Sequence, residues 1–251
     1  MNERGSLPRT LHIVFSRSPD VVTAEEHDRW YQTQLSRILG GPGFAAATRY
    51  DLVTALDEPA EPDRFTGAAV YEIEGTASGA MAALAAEVAS GSVDRPGRLG
   101  QVRVSSWLAT PLGERKQRGG TGGNAVPPSL QLVFSDAGDA GRPVPDESLD
   151  GWYEQHLDEI LSIPGFTSAQ RYRLTTVTSP VGGAIPGRRL CVYTTTKPPA
   201  ELRAEMERMD LLSADSYSRL KDSDSTGPAL PEWWDTVRFA SWNLIPVTPG
   251  R

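Results

Sequence analysis

An internal repeat of about half the chain is the feature that most constrains the fold. Three motifs of the first half recur 122 positions later: Trp30-Tyr31 as Trp152-Tyr153, Pro42-Gly43-Phe44 as Pro164-Gly165-Phe166, and Arg49-Tyr50 as Arg171-Tyr172. Of the 21 positions from Trp30 to Tyr50, 11 are identical in the second copy. A match of this length indicates duplication, so both halves should fold into the same structural unit.

The repeat also predicts the domain boundaries. Leu11 to Phe15 matches Leu130 to Phe134 at an offset of 119, whereas Ser106-Trp107 matches Ser241-Trp242 at 135. The second copy therefore contains an insertion, which we place near 213–236. A glycine-rich stretch between the copies is typical of a flexible linker. The prediction is a first repeat over 1–112, a linker over 113–128 and a second repeat over 129–251.

Each copy shows the same order of predicted elements. Leu11, Ile13 and Phe15 alternate with other residues at the period of a strand, and Thr23 with Glu26 forms a capping box that starts a helix. The predicted order is β-α-β-β-α-β, a ferredoxin-like unit of the α+β class. The first copy has strands at 11–16, 48–53, 68–73 and 102–109 with helices at 23–39 and 78–89; the second has strands at 130–135, 170–177, 190–195 and 237–245 with helices at 146–161 and 199–212.

Two tandem ferredoxin-like units can bury their second sheet faces against each other. Such packing makes a barrel-like interior between the sheets, so we expect an intramolecular dimeric α/β barrel. The chain would then be a monomeric pseudo-dimer or form a further homodimer.

Composition narrows the class of function. The net charge is −7 and the pI is about 5.1, which disfavours a nucleic-acid partner. Cys191 is the single cysteine, so no internal disulfide can form. The apolar run at 81–89 is too short to cross a membrane. The three histidines lack the spacing of a dedicated metal site. We therefore expect a cytoplasmic protein with no membrane partner, no metal and no cofactor.

The second copy resembles the EthD-like group of dimeric α/β-barrel proteins. The resemblance rests on Asp150, Trp152-Tyr153, His156, Pro164-Gly165-Phe166 and Arg171-Tyr172. The first copy keeps this pattern but has Gln34 in place of the histidine. Relatives include cofactor-free oxygenases, polyketide cyclases, decarboxylases and lactone isomerases, so the resemblance implies a hydrophobic small-molecule substrate without naming the reaction.

Two histidines are the candidate catalytic residues. His156 shares a helix face with Trp152, and its replacement by Gln34 in the other copy indicates that the position is free to specialise. His12 lies on the first strand on the side opposite Leu11, Ile13 and Phe15, and its counterpart is Gln131. If that apolar side faces the helices, His12 points into the barrel. The alternative for both histidines is a structural role.

Several aromatic and amide side chains are candidate substrate-binding residues. They are Trp152, Tyr50, Tyr71, Tyr172, Tyr193, Gln34, Gln131 and Trp234. The alternative for the tyrosines is aromatic core packing. The pair Trp233-Trp234 in the insertion would form either a lid over the barrel or a seal between the halves.

These residues favour a cofactor-free enzyme that acts by acid–base catalysis on a hydrophobic aromatic or polyketide-like molecule. Cyclisation, dehydration, decarboxylation and isomerisation all fit, and oxygenation of a substrate carbanion is a variant. Natural-product biosynthesis and aromatic degradation are the expected settings. The alternative is a non-catalytic binding or carrier protein for such a molecule.

Overall fold

The computed structural model describes residues 9–18, 20–54, 65–91, 101–118, 127–138, 142–178, 187–209 and 231–247. Within these residues the first half contains β1 (Leu11–Arg17), α1 (Ala24–Gly40), β2 (Phe44–Thr54), β3 (Gly67–Ile73), α2 (Ala77–Ala89) and β4 (Arg103–Gln117). The second half contains β5 (Ser129–Asp136), α3 (Asp146–Ser162), β6 (Phe166–Thr178), β7 (Arg189–Thr195), α4 (Pro199–Arg208) and β8 (Arg238–Pro246). The predicted order of elements is found in both halves.

The eight strands close into one antiparallel barrel. Their order around it is β1-β3-β2-β8-β5-β7-β6-β4. Each half supplies four adjacent strands, and the halves join where β2 pairs with β8 and where β4 pairs with β6. The α+β class and the barrel predicted from the sequence are confirmed.

Local sequence signals set the start of α1 and the turn that follows it. The Thr23 hydroxyl accepts a hydrogen bond from the Glu26 amide, and the Glu26 carboxylate accepts one from the Thr23 amide, as the capping box predicts. Gly43 has a φ of 93°, and a Cβ there would lie 2.8 Å from the Cα of Ala80 on α2. Only glycine fits this turn, which connects α1 to β2 and lies against α2.

The barrel interior is a packed apolar core. Leu11, Ile13 and Phe15 point into it, and strands of the second half contribute matching side chains. Phe15 meets Phe134 edge-to-face with ring centroids 5.9 Å apart, and Trp242 lies within 5.4 Å of both phenylalanine rings. This core joins the two halves.

The direction expected for His12 is therefore wrong. Because Leu11, Ile13 and Phe15 fill the barrel, the alternate residues of β1, including His12, face the helices. The physical reason is that packing the strand's largest apolar side chains among those of the other seven strands removes the most apolar surface from water. The condition under which His12 would point into the barrel, an apolar side of β1 facing the helices, is not met.

Strand β4 extends further than predicted. It continues to Gln117, and Lys116 and Gln117 pair with Ala169 and Ser168 of β6. The first residues of the expected linker are thus strand, while 119–126 lie outside the described residues. Of the expected insertion, 213–230 also lies outside them. No helix in the described part of the chain is long and apolar enough to cross a membrane.

Candidate functional site

A cavity of about 200 Å³ lies between the sheet of the first half and helices α1 and α2. Its walls are mainly aliphatic and aromatic, and all but one of the lining side chains come from the first half. They are His12, Val14, Ser16, Trp30, Tyr31, Gln34, Ile38, Tyr71, Met81, Leu84, Val88, Val104, Ser106 and Val177.

The periods of β1 and α1 explain which side chains reach this cavity. On β1, the residues that alternate with the barrel-facing ones present His12, Val14 and Ser16 to the helices. On α1, Trp30, Gln34 and Ile38 are four residues apart and share one face. The cavity therefore lies where the side of β1 that carries His12 and Ser16 meets this face of α1, with α2 beside them.

His12 is the polar group at the buried end of the cavity. The residue is only 4% exposed, its ring stacks on Tyr71 with centroids 5.8 Å apart, and its Nε2 has no hydrogen-bond partner among the described residues. Burial lowers the pKa of His12 from 6.5 to about 4. The imidazole is therefore neutral at physiological pH and can accept or donate a hydrogen bond.

Gln34 presents a second unpaired polar atom to the same cavity. It is 5% exposed, and its Oε1 has no hydrogen-bond partner in the part of the chain that the structure describes. An unsatisfied buried polar atom costs about 1–3 kcal/mol. A small ligand with a hydroxyl group could donate a hydrogen bond to Gln34 Oε1 or to an unprotonated His12 Nε2.

The lining residues that the structure describes carry no formal charge. None of them is Asp, Glu, Lys or Arg. Burial, with the neighbouring Tyr31 hydroxyl as a second cause, raises the pKa of Tyr71 well above its usual value, so this phenol stays protonated. The site is thus suited to an uncharged ligand.

The matching region of the second half is differently filled. The His156 ring stacks on Trp152 with centroids 4.5 Å apart, and its Nδ1 lies 3.0 Å from a carboxylate oxygen of Glu159. Trp234 packs on Trp152 at 4.7 Å, and Trp233 packs in the same cluster. The tryptophan pair therefore covers α3 of its own half, and neither ring lines the first-half cavity.

A second difference between the halves lies on the third strand of each copy. Arg189 occupies the repeat position of Gly67 and is buried, with ion pairs to Asp146 at 2.9 Å and Asp150 at 3.2 Å. Gly67 pairs with Ser16, a cavity residue, and has no side chain to occupy the space beside it. The second half therefore places a guanidinium group at a position where the first half has no side chain, and where an added Cβ would lie 3.3 Å from the Ser16 hydroxyl.

The structure brings together some of the predicted site residues and separates others. His12, Gln34 and Tyr71 share the first-half cavity, whereas His156, Trp152 and Trp234 form the cluster on α3. Tyr50 and Tyr172 are buried in the barrel core, where burial raises the pKa of Tyr50 to about 12, and Gln131 lies opposite Tyr193 on the β5–β7 pair.

Sequence reasoning missed several lining residues. Trp30 and Tyr31 were recognised only as repeat markers, and Met81, Leu84 and Val177 were not singled out. The spacing of Trp30 four residues before Gln34 was the signal available. Among the described residues, no group of three His, Cys, Asp or Glu side chains could hold a metal ion.

Comparison with known proteins supports the fold. No family model and no curated protein matches the chain. Chlorite dismutase from Candidatus Nitrospira defluvii is similar in structure, with a TM-score of 0.50 and 11% identity over 96% of this chain and 92% of that one. An anthrone oxidase-like protein has a TM-score of 0.45 and 9% identity over 97% and 95% of the two chains. At 11% identity, the first likeness supports a dimeric α/β-barrel fold and nothing finer.

Proposed function

We propose that this chain is a small-molecule enzyme that moves a proton on an uncharged aromatic ketone or phenol, with His12 as the base. One observation carries the proposal: His12 Nε2 and Gln34 Oε1 are both buried, neither has a hydrogen-bond partner among the residues that the structure describes, and both residues line one apolar cavity. Buried polar atoms are normally paired, so unpaired ones in a cavity indicate a binding site.

The cavity volume limits the size of the substrate. An engineered apolar cavity of about 150 Å³ binds benzene. At about 200 Å³, this cavity suits one ring or two fused rings. The aromatic or polyketide-like substrate that the sequence predicts should therefore have no more than two fused rings.

The chemistry follows from a neutral imidazole in an apolar site. The Nε2 lone pair takes a proton from carbon next to a carbonyl, the C–H electron pair forms the enolate, and the proton can return to a different atom. The enolate oxygen develops negative charge beside the new imidazolium, which raises the pKa of His12 as the reaction proceeds. Gln34 Oε1 accepts a hydrogen bond from a hydroxyl group of the substrate. Isomerisation is the simplest outcome. Cyclisation and dehydration can follow the same first step, and oxygenation can follow it when molecular oxygen reacts with the enolate.

We also propose that the two halves are duplicated ferredoxin-like units of the EthD-like type. The repeated motifs and the equal share of four adjacent strands from each half support this assignment. The same duplication explains why one half can hold an open site while the other half is filled by Trp234 and Arg189.

A carrier protein is the second candidate function. It is favoured by the low pKa of His12, since an imidazole that binds protons weakly is a poor base in the empty site. A carrier would need the hydrogen bonds of His12 and Gln34 but no proton transfer. The two functions differ in whether bound ligand exchanges a carbon-bound proton.

The test uses 2-tetralone, an uncharged two-ring ketone with acidic protons next to its carbonyl. Deuterium uptake from D₂O, followed by proton NMR, should be faster with the protein than without it. His12→Gln should lower this rate by roughly 10²–10⁴-fold. His156→Gln is the matched control and should retain it. Binding without exchange would indicate a carrier, and equal rates for wild type and His12→Gln would refute His12 as the base.

A further inference from the structure

The cavity has an exposed end and a buried end. Val88 on α2 and Val177 on β6 both line it, and they are 54% and 42% exposed. His12, which lines the same cavity, is 4% exposed. The cavity wall is therefore exposed at the two valines and buried at the imidazole, which places the opening on the side of the valines.

The second half of the chain forms one side of this opening. Val177 belongs to β6, and the strand is held there by pairing with β4, where Ser106 faces Thr178 and Trp107 faces Thr176. Ser106 itself lines the cavity. The first-half site is thus incomplete without a side chain from the second half.

We propose that this opening, with the uncharged walls behind it, selects ligands by charge, and that Val177 is a specificity-determining residue contributed by the second half. The ligand class is an uncharged one- or two-ring aromatic molecule with a single hydroxyl or carbonyl group. The inference rests on the proposed binding site but not on the proposed proton transfer.

The selection has a physical basis in desolvation. A carboxylate that enters the cavity loses its hydration, and none of the lining residues within the described part of the chain offers it a positive charge. A phenol loses the hydration of only one hydroxyl group, and that hydroxyl can donate a hydrogen bond to His12 or Gln34. Since burial of an unpaired ion is disfavoured far more than burial of a paired hydroxyl, the neutral ligand should bind at least about 100-fold more tightly.

A cation placed at the opening should reverse this preference. Val177 is partly exposed, so Val177→Arg can keep its guanidinium hydrated while it reaches a ligand carboxylate. Arginine pairs with carboxylates through two parallel hydrogen bonds. The matched control is Val53→Arg, because Val53 is 38% exposed on β2 and does not line the cavity.

The experiment measures dissociation constants of 2-naphthol and 2-naphthoate at pH 7 by isothermal titration calorimetry. The two probes share a ring system, and only the second is charged. Wild type should prefer 2-naphthol by at least about 100-fold. Val177→Arg should lower that ratio tenfold or more through tighter binding of 2-naphthoate, and Val53→Arg should leave the ratio unchanged.

Two results would overturn the inference. Equal affinity of wild type for both probes would refute selection by charge, and this result needs no variant. An unchanged ratio in folded Val177→Arg would refute the role of Val177. Because binding is read without catalysis, a correct ratio with no exchange of 2-tetralone would refute the proposed enzyme and leave this inference standing.

Discussion

Replacing His12 with phenylalanine should make the protein more stable while abolishing its activity. The imidazole is buried between Tyr71 and Phe44, and its Nε2 has no partner in the described part of the chain. Phenylalanine removes the unpaired polar atom and keeps an aromatic ring in its place. The expected gain is about 1–2 kcal/mol at pH 7.5, since an unsatisfied buried polar atom costs about 1–3 kcal/mol.

The difference in stability between wild type and His12→Phe should grow as the pH falls. Burial lowers the pKa of His12 to about 4 in the folded state, against 6.5 for an exposed histidine. Below pH 6.5 the unfolded state takes up a proton that the folded state refuses until about pH 4, so wild type loses stability as the pH falls through this window. From pH 7.5 to pH 4.5 the loss due to His12 is about 2–3 kcal/mol. His12→Phe has no such loss.

Urea denaturation of both proteins at the two pH values measures these quantities. Other titrating groups are common to both proteins, so the difference between their pH profiles isolates His12. Loss of exchange in 2-tetralone should accompany the gain in stability, as expected when a functional residue is held at a cost to the fold. A loss of stability at pH 7.5, or pH profiles that run parallel, would mean that His12 is a paired structural histidine.

Three further predictions concern the two halves. His156→Gln should change stability by no more than about 1 kcal/mol in thermal denaturation, because α1 carries Gln34 at this position. It should also retain the exchange of 2-tetralone protons, and loss of that exchange would place catalysis in the second half. Trp234→Ala should cost about 2–3 kcal/mol, less than a fully buried tryptophan, and leave 2-naphthol affinity unchanged in calorimetry; altered affinity with unchanged stability would restore the expected lid. Residues 1–118 alone should self-associate in size-exclusion chromatography because the barrel core is exposed, and a soluble monomer would contradict the joint core.

The repeat and the strand alternation predict most of the fold. The duplicated motifs give the order of elements, and the capping box at Thr23 gives the start of α1 to within a residue. The end of β4 could not be predicted in this way. Polar residues such as Lys116 continue the strand because β6 supplies hydrogen-bond partners that no local signal encodes.

Alternation does not say which side of a strand faces the barrel. Both faces of β1 are covered, one by the other strands of the barrel and one by helices, so Ile13 and Val14 are both apolar. The orientation of His12 depends on which face of β1 packs inside the barrel and which packs against the helices. That is a property of the assembled barrel.

The difference between Gln34 and His156 points to an asymmetric site but does not identify the half that is open. The open cavity lies beside Gln34 because the second half places Trp234 against Trp152 and fills the region of Gly67 with Arg189. These contacts join segments far apart in the chain. Their consequence for the site emerges only when the elements are assembled.

The position of a bound ligand tests the central claim most directly. Crystals grown with 2-naphthol should show its rings in the cavity between the sheet and helices α1 and α2, with the hydroxyl within hydrogen-bond distance of His12 Nε2. Density inside the barrel beside Phe15, density against His156, or a cavity without 2-naphthol at saturating concentration would contradict the account.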